Sequence, residues 1–241
     1  MSEISKAVPV GRIVGLWRYP VKSMGPESLM NAEVDWNGLS GDRRWAFVRD
    51  NMGQSGFPWL TLRQCPGLAQ YTPSFRDPEN PDTSPTIVKT PSGDVFDVTD
   101  SALSAELCQS GVRVIRYARG IFDTFPLSLI TTQTIARLGK IVGENLDVQR
   151  FRPNILVDAA EDTPFQEDGW VGRILRFGGV RMRVDKRDGR CAVITIDPVT
   201  AKRNPSILRA VHRERQGSLG VYGTTVKQGN VVVNDAVLIE P

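Results

Sequence analysis

Histidine and cysteine are scarce in this chain. Its 241 residues hold one histidine, His212, and three cysteines, Cys65, Cys108 and Cys191. One histidine excludes a multi-histidine zinc site, a His-Glu-x-x-His helix and a two-histidine iron site. A Ser-His-Asp triad would have to use His212, and no Gly-x-Ser-x-Gly elbow accompanies it. The cysteines lie far apart with no Cys-x-x-Cys pair, which argues against a disulfide framework and for a reducing compartment. Neither Gly-rich phosphate loop is present. No apolar run approaches the length that spans a bilayer, and the first residues carry no apolar signal region. The expectation is a cytoplasmic protein with no membrane partner. Excess charge is also small, at +3. That does not imply nucleic acid, whose binders concentrate Lys and Arg far more.

What is present is an ordinary globular composition, 40% hydrophobic and 24% charged, with material for a sizeable core. Strand signals dominate. Residues 11–17, 45–49, 112–117, 154–157, 174–177, 180–184, 192–196 and 219–226 read as strands, and 230–233 with 237–239 as the closing strands of a barrel. Three helices are expected. One is capped by Thr99 or Asp100 and ends at Gly111. The second is capped by Thr131 or Thr132 and ends at Gly143. The third is capped by Asn204 with Pro205 in its first turn. Five prolines between 73 and 91 predict a surface loop or insertion. The tryptophans, Trp36 and Trp170 among them, are expected to anchor cores. The predicted fold class is α+β, mostly β, with domains over 1–122 and 123–241 and the boundary near 119–125.

Cys191 stands out chemically. It follows Arg187-Asp188-Gly189-Arg190, where a neighbouring cation favours the thiolate that attacks electrophiles and binds soft metals. The competing reading is a small buried hydrophobe on the 192–196 strand. Arg173, Arg176, Arg181, Arg183, Lys186, Arg187 and Arg190 crowd one short region, as an anionic ligand near Cys191 would require. Lys22 and Ser23 follow a strand-ending Pro20 and can meet a phosphate, or can be a solvated loop. Arg43, in the Gly41-Asp42 turn, suits an oxyanion, or pairs with Asp42 at the surface. Pro153 is expected to hold Arg152 extended, and Asn154 offers a donor and an acceptor to a heterocycle edge. His212 reads as structural.

The order of these segments resembles one family. Tyr-Pro-Val-Lys-Ser (19–23) is followed by Gly-Asp-Arg-x-Trp (41–45), a Pro-rich gap and Arg-Phe-Arg-Pro-Asn (150–154). Arg-Cys with Thr-x-Asp-Pro, Leu-Gly-Val-Tyr-Gly (219–223) and a Gly-Asn-Val-Val-Val-Asn-Asp finish complete it. The succession resembles MOSC proteins, in which a MOSC β-barrel follows a smaller N-terminal β-barrel-like domain. It is most similar to mitochondrial amidoxime-reducing components and bacterial N-hydroxylated-base reductases. The resemblance implies a molybdenum cofactor, Mo-molybdopterin, between the domains, with Cys191 as metal ligand and catalytic centre. It implies Lys22, Ser23, Arg43, Thr131, Arg152, Asn154, Arg190 and Tyr222 as cofactor-binding residues.

The implied activity is reduction of amidoximes, hydroxylamines and N-hydroxylated bases to amidines and amines. Three cysteines are too few for the iron–sulfur domain of some relatives. Electrons are therefore expected from a separate ferredoxin, flavin reductase or cytochrome b5 type protein. The pyridoxal-phosphate domain of the sulfurases and the anchor of the mitochondrial relatives are also expected to be missing. A general acid is not evident; Asp168 and Asp197 are candidates. The alternatives are a carrier that delivers cofactor or sulfur without turnover, and a metal-free module that binds another phosphate ligand.

Overall fold

The computed structural model describes residues 7–50, 58–108 and 111–241. Along the chain run β1 (Val8–Arg18), β2 (Glu27–Leu29), β3 (Asn31–Asp35), β4 (Gly38–Leu39), β5 (Trp45–Arg49), β6 (Thr72–Phe75), β7 (Thr86–Lys89) and β8 (Val95–Asp97). Then come α1 (Ser101–Leu107), β9 (Val112–Arg116), β10 (Leu127–Thr131), α2 (Thr132–Val142), β11 (Ile155–Ala159), β12 (Ile174–Phe177) and β13 (Val180–Gly189). The chain closes with α3 (Pro205–Arg215), β14 (Ser218–Lys227), β15 (Gly229–Val232) and β16 (Ala236–Ile239).

Seven strands close a barrel in the order β11-β10-β14-β13-β12-β16-β1, with β1 pairing back onto β11. The β10–β11 pair is parallel, and α2 supplies the crossover that such a pair needs. The Thr131 hydroxyl accepts from Thr134 N to start α2, and Gly143 ends it at φ 78. Alternating residues fill the barrel. On β13, Val180, Met182 and Val184 are buried, whereas Arg181 and Arg183 face outward. β1 thus carries the start of the chain into a barrel made otherwise from its second half. β2 pairs with the end of β1, and the other N-terminal strands form small sheets, β3-β4 joined by the C-terminal β15, β5-β9 and β6-β7-β8. The sheet β15-β3-β4 packs Ala32, Val34, Leu39 and Val231 against the barrel core, whereas β5-β9 and β6-β7-β8 cover a second core containing Val21, Phe47, Leu62, Leu103 and Ile196.

Several expectations are corrected. Residues 192–196 do not form a strand: Ala192–Thr195 is a 3-10 turn, and the Thr195 hydroxyl donates to Ala192 O over 2.7 Å. A run such as Ala-Val-Ile-Thr-Ile reads alike as a buried turn or a strand. Of the two expected closing strands, β16 joins the barrel but β15 pairs with β3. The Pro-rich stretch is not only loop. Pro73 lies within β6 opposite Val88, and β6 pairs on one side only, where a missing N–H costs no ladder bond. The first helix ends at Leu107, before Gly111. Trp170 is core, but Trp36 is 62% exposed.

Candidate functional site

A cavity of about 350 Å³ opens between the barrel and the N-terminal sheets. Cys191 lines it at the head of the 3-10 turn, half-buried. Lys22, Ser23, Arg43, Arg152, Arg190 and Tyr222 line the same space. The wall carries six cationic side chains, Lys22, Arg43, Arg63, Arg150, Arg152 and Arg190, against two carboxylates, Asp123 and Asp188.

The backbone delivers these groups by unusual turns. Ser23, Arg43 and Arg152 all have positive φ, at 71°, 51° and 51°. Left-handed non-glycine residues cost free energy and concentrate at functional sites. Arg152 is therefore not extended, contrary to the expectation from Pro153. Its guanidinium stacks on the Tyr19 ring at 4.3 Å and donates to Met24 O over 2.7 Å, which anchors the turn. Arg43 stacks on Tyr19 at 4.7 Å and donates to Arg152 O over 3.3 Å. One buried tyrosine thus positions two guanidiniums, and its hydroxyl donates to Gln149 Oε1 over 2.8 Å.

Charge is concentrated enough to shift proton equilibria. Burial lowers the Lys22 ammonium, opposed by Asp123, whose Oδ1 accepts from Lys22 Nζ over 2.6 Å. Burial, with Arg43 close by, brings Arg152 down to about 10, still protonated at neutral pH. Burial acts the same way on Arg43, but its contact with Asp42 wins and raises it. Asp188, 2% exposed, is pushed up to about 6 by burial, against the pull of Arg190 and a hydrogen bond from Tyr222.

Arg190 is committed to the protein. It donates from Nε to Leu219 O over 2.7 Å and from Nη1 to Phe151 O over 2.8 Å, and pairs through Nη2 with Asp188 at 2.9 Å. The rest of the basic run lies outside the cavity: Arg181 pairs with Glu240, Arg183 with Asp185 and Arg187 with Asp168. Period-two alternation along β13, invisible in a count of charges, turns them outward.

Thr131 and Asn154 do not line the cavity. Thr131 is fully buried and donates to Glu167 Oε2 over 3.0 Å. Asn154 donates to Asp42 Oδ2 over 3.0 Å and accepts from Ser128 N over 3.1 Å. Asp168 and Asp197 serve Arg215 and Arg150, and neither lines the cavity. His212 is exposed, outside it.

Sequence reasoning missed Arg63, Asp123 and Asp188. Arg63 comes from the segment before Pro66 and is raised chiefly by its hydrogen-bond interaction with the Cys191 side chain. Nothing local to Arg63 signals this, since its partner is 128 positions away. Asp188 lies in the Cys191 run, where nothing local marks it as a buried carboxylate of the cavity wall.

The donor set limits what can bind. Among the described residues no three His, Cys, Asp or Glu side chains converge on a metal position. A lone thiol suits a metal that arrives with its other ligands on an organic carrier, and the cationic wall suits an anionic carrier. Fold and site therefore define a barrel protein that presents one thiol among cations.

The MOSC domain model matches residues 117–238, and the model of the MOSC N-terminal beta barrel domain matches residues 10–115. The chain belongs to the MOSC domain family. A molybdenum cofactor sulfurase of Caenorhabditis briggsae is 24% identical over 90% of this chain and 34% of its own length. A mitochondrial amidoxime reducing component 2 of Rattus norvegicus is 25% identical over 79% of this chain and 68% of its own. The corresponding component 1 of Danio rerio is 30% identical over 48% of this chain and 37% of its own. The chain spans about a third of the length of the Caenorhabditis sulfurases it matches. A crystal structure of the YUAD protein from Bacillus subtilis shares the fold, with a TM-score of 0.54, 12% identity and 97% of each chain covered.

Proposed function

We infer that this protein is a molybdenum-cofactor-dependent reductase of N-hydroxylated compounds. The observation that carries the reading is a single thiol, Cys191, in a cavity lined by six cations, which would suit a metal already bound to an anionic carrier. Cys191 would ligate the metal. Lys22, Ser23, Arg43 and Arg152 would hold the anionic end of the carrier. Thr131 and Asn154, both assigned to the cofactor from sequence, would support the surrounding backbone. When bound, the cofactor supplies two-electron redox chemistry.

The chain's own residues supply position and protons. The overall reduction takes R–NH–OH, two electrons and two protons to R–NH2 and water, with cleavage of the N–O bond. Buried Asp188 and half-buried Tyr222 would be the proton donors in the cavity, with Asp188, raised to about 6, exchanging its proton just below neutral pH. Names among the relatives support the substrate class, and cytoplasmic location remains part of the proposal. No helix among the described residues is long and apolar enough to cross a membrane.

A second reading, delivery of cofactor or sulfur without turnover, is favoured by the sulfurase names of relatives covering 90% of the chain. Cofactor-loaded protein with dithionite-reduced methyl viologen and benzamidoxime separates the two. The reductase reading expects steady conversion to benzamidine, abolished in Cys191→Ala. Loaded protein that never turns over, yet activates a cofactor-free molybdoenzyme, would establish the carrier instead.

A further inference from the structure

The 3-10 turn that begins at Cys191 is the wall between two cavities. Cys191, Val193 and Ile194 line the cationic cavity, while Ala192 and Thr195 line a second recess of about 620 Å³. In a 3-10 turn residues three apart eclipse one another, so Ala192 and Thr195 share the far side. The outer recess therefore comes within one peptide bond of the residue that bears the thiol.

Its opposite wall is α3. Half-buried Leu208 lies toward the inside, and exposed Arg203, Arg209 and Arg213 stand around it. The one carboxylate on α3 is Glu214, which pairs with Arg213 at 2.7 Å. Arg209 makes no ion pair among the described residues. Arg203 donates from Nη2 to Leu62 O over 3.3 Å and to Arg63 O over 3.0 Å. That fastens the recess to the segment whose Arg63 faces Cys191. An apolar centre inside a cationic ring complements an acidic protein surface with an apolar centre of its own.

We propose that this recess docks an acidic one-electron carrier protein; the proposal rests on the reductase reading. Reduction of R–NH–OH breaks one N–O bond, releases the oxygen as water and consumes two protons and two electrons. Two reduced carriers supply those electrons, each being oxidised by one. The described residues hold no cluster of three or more His, Cys, Asp or Glu that could carry a metal redox centre of their own. The cationic cavity must admit cofactor and substrate, which leaves the recess behind the thiol as the short covalent entry for electrons.

The test uses full-length, cofactor-loaded protein and a plant-type [2Fe–2S] ferredoxin as the acidic carrier. Arg209→Glu with Arg213→Glu is compared with a control of equal charge change, Arg12→Glu with Arg113→Glu, both on exposed side chains. Binding is titrated at low ionic strength, where charge steering is least screened. The recess variant is expected to bind ferredoxin at least tenfold more weakly and to lose ferredoxin-driven reduction by the same factor. Its viologen-driven reduction, and all properties of the control, are expected to stay unchanged.

Equal losses in recess and control variants, undiminished binding in the recess variant, or no binding by the parent would each overturn the docking surface. A recess meant for a small apolar ligand would give the second of these results. Failure of viologen to drive the parent would instead overturn the reductase reading, while the titration still decides the surface.

Discussion

Asn154 donates through Nδ2 to Asp42 Oδ2 over 3.0 Å, at the seam between the barrel and the N-terminal sheets. The same carboxylate accepts from Tyr19 N over 2.7 Å and from Arg43 Nη1. Both Asp42 and Asn154 are 1% exposed. One buried acid therefore ties the end of β1, the Arg43 turn and the Pro153 turn into a single frame. Its role is to aim Arg43, not to meet a ligand.

Removing that acid leaves the largely buried Arg43 guanidinium without its carboxylate partner. Asp42→Ala is expected to cost about 3–5 kcal/mol of stability, and Asn154→Ala about 1–3 kcal/mol. Urea denaturation of the cofactor-free protein measures both. A loss under 1 kcal/mol for Asp42→Ala would contradict the frame.

Arg63 makes the opposite prediction. It is exposed, and its interaction on the cavity side is with Cys191. Arg63→Ala is expected to change stability by no more than about 0.5 kcal/mol, as surface substitutions do. The same variant should retain less molybdenum through gel filtration than the parent. Equal molybdenum per protein would remove Arg63 from the site.

Asp188 links stability to pH. Its folded value, about 6, lies above the roughly 3.9 of an unfolded aspartate. Between those values the folded chain binds a proton that the unfolded chain releases. Stability should therefore fall as pH rises through that window, by roughly 3 kcal/mol from this group, and stay lower above it. Denaturation midpoints of cofactor-free parent and Asp188→Asn, followed from pH 4 to pH 7, isolate the effect. The variant should lack that part of the decline; identical slopes would assign it elsewhere.

Gly220 shows why the Leu-Gly-Val-Tyr-Gly run takes its form. Its φ is +73°, and an added Cβ would lie 2.8 Å from Leu129 O and 3.2 Å from Arg190 Nη2. Gly220→Ala should cost about 2 kcal/mol or more from left-handed strain and the backbone clash. It should also move Arg190 and weaken ligand binding. A thermal melt matching that of the parent would contradict this.

What the sequence made legible was local. Asn204 and Pro205 start α3, and Thr131 and Gly143 bound α2, because caps depend on neighbours in the chain. Lys22, Ser23, Arg43, Arg152, Arg190, Cys191 and Tyr222 were found from ordered short segments, and the fold brings them to one cavity. What stayed hidden depends on partners distant in sequence. That β15 leaves the barrel for β3 is a matter of pairing, which no local pattern records. The inward or outward aim of the β13 arginines needs the strand register. Arg63 meets Cys191, and the Asn154 amide meets Asp42 112 positions away, through tertiary contacts that their sequence neighbours do not show.

In the proposed function everything depends on the Cys191 sulfur binding molybdenum. X-ray absorption at the molybdenum edge, on loaded parent and on Cys191→Ser prepared identically, tests it most directly. The variant is expected to show one fewer sulfur neighbour per molybdenum, with an unchanged far-ultraviolet circular dichroism spectrum. The same sulfur count in both proteins would contradict it.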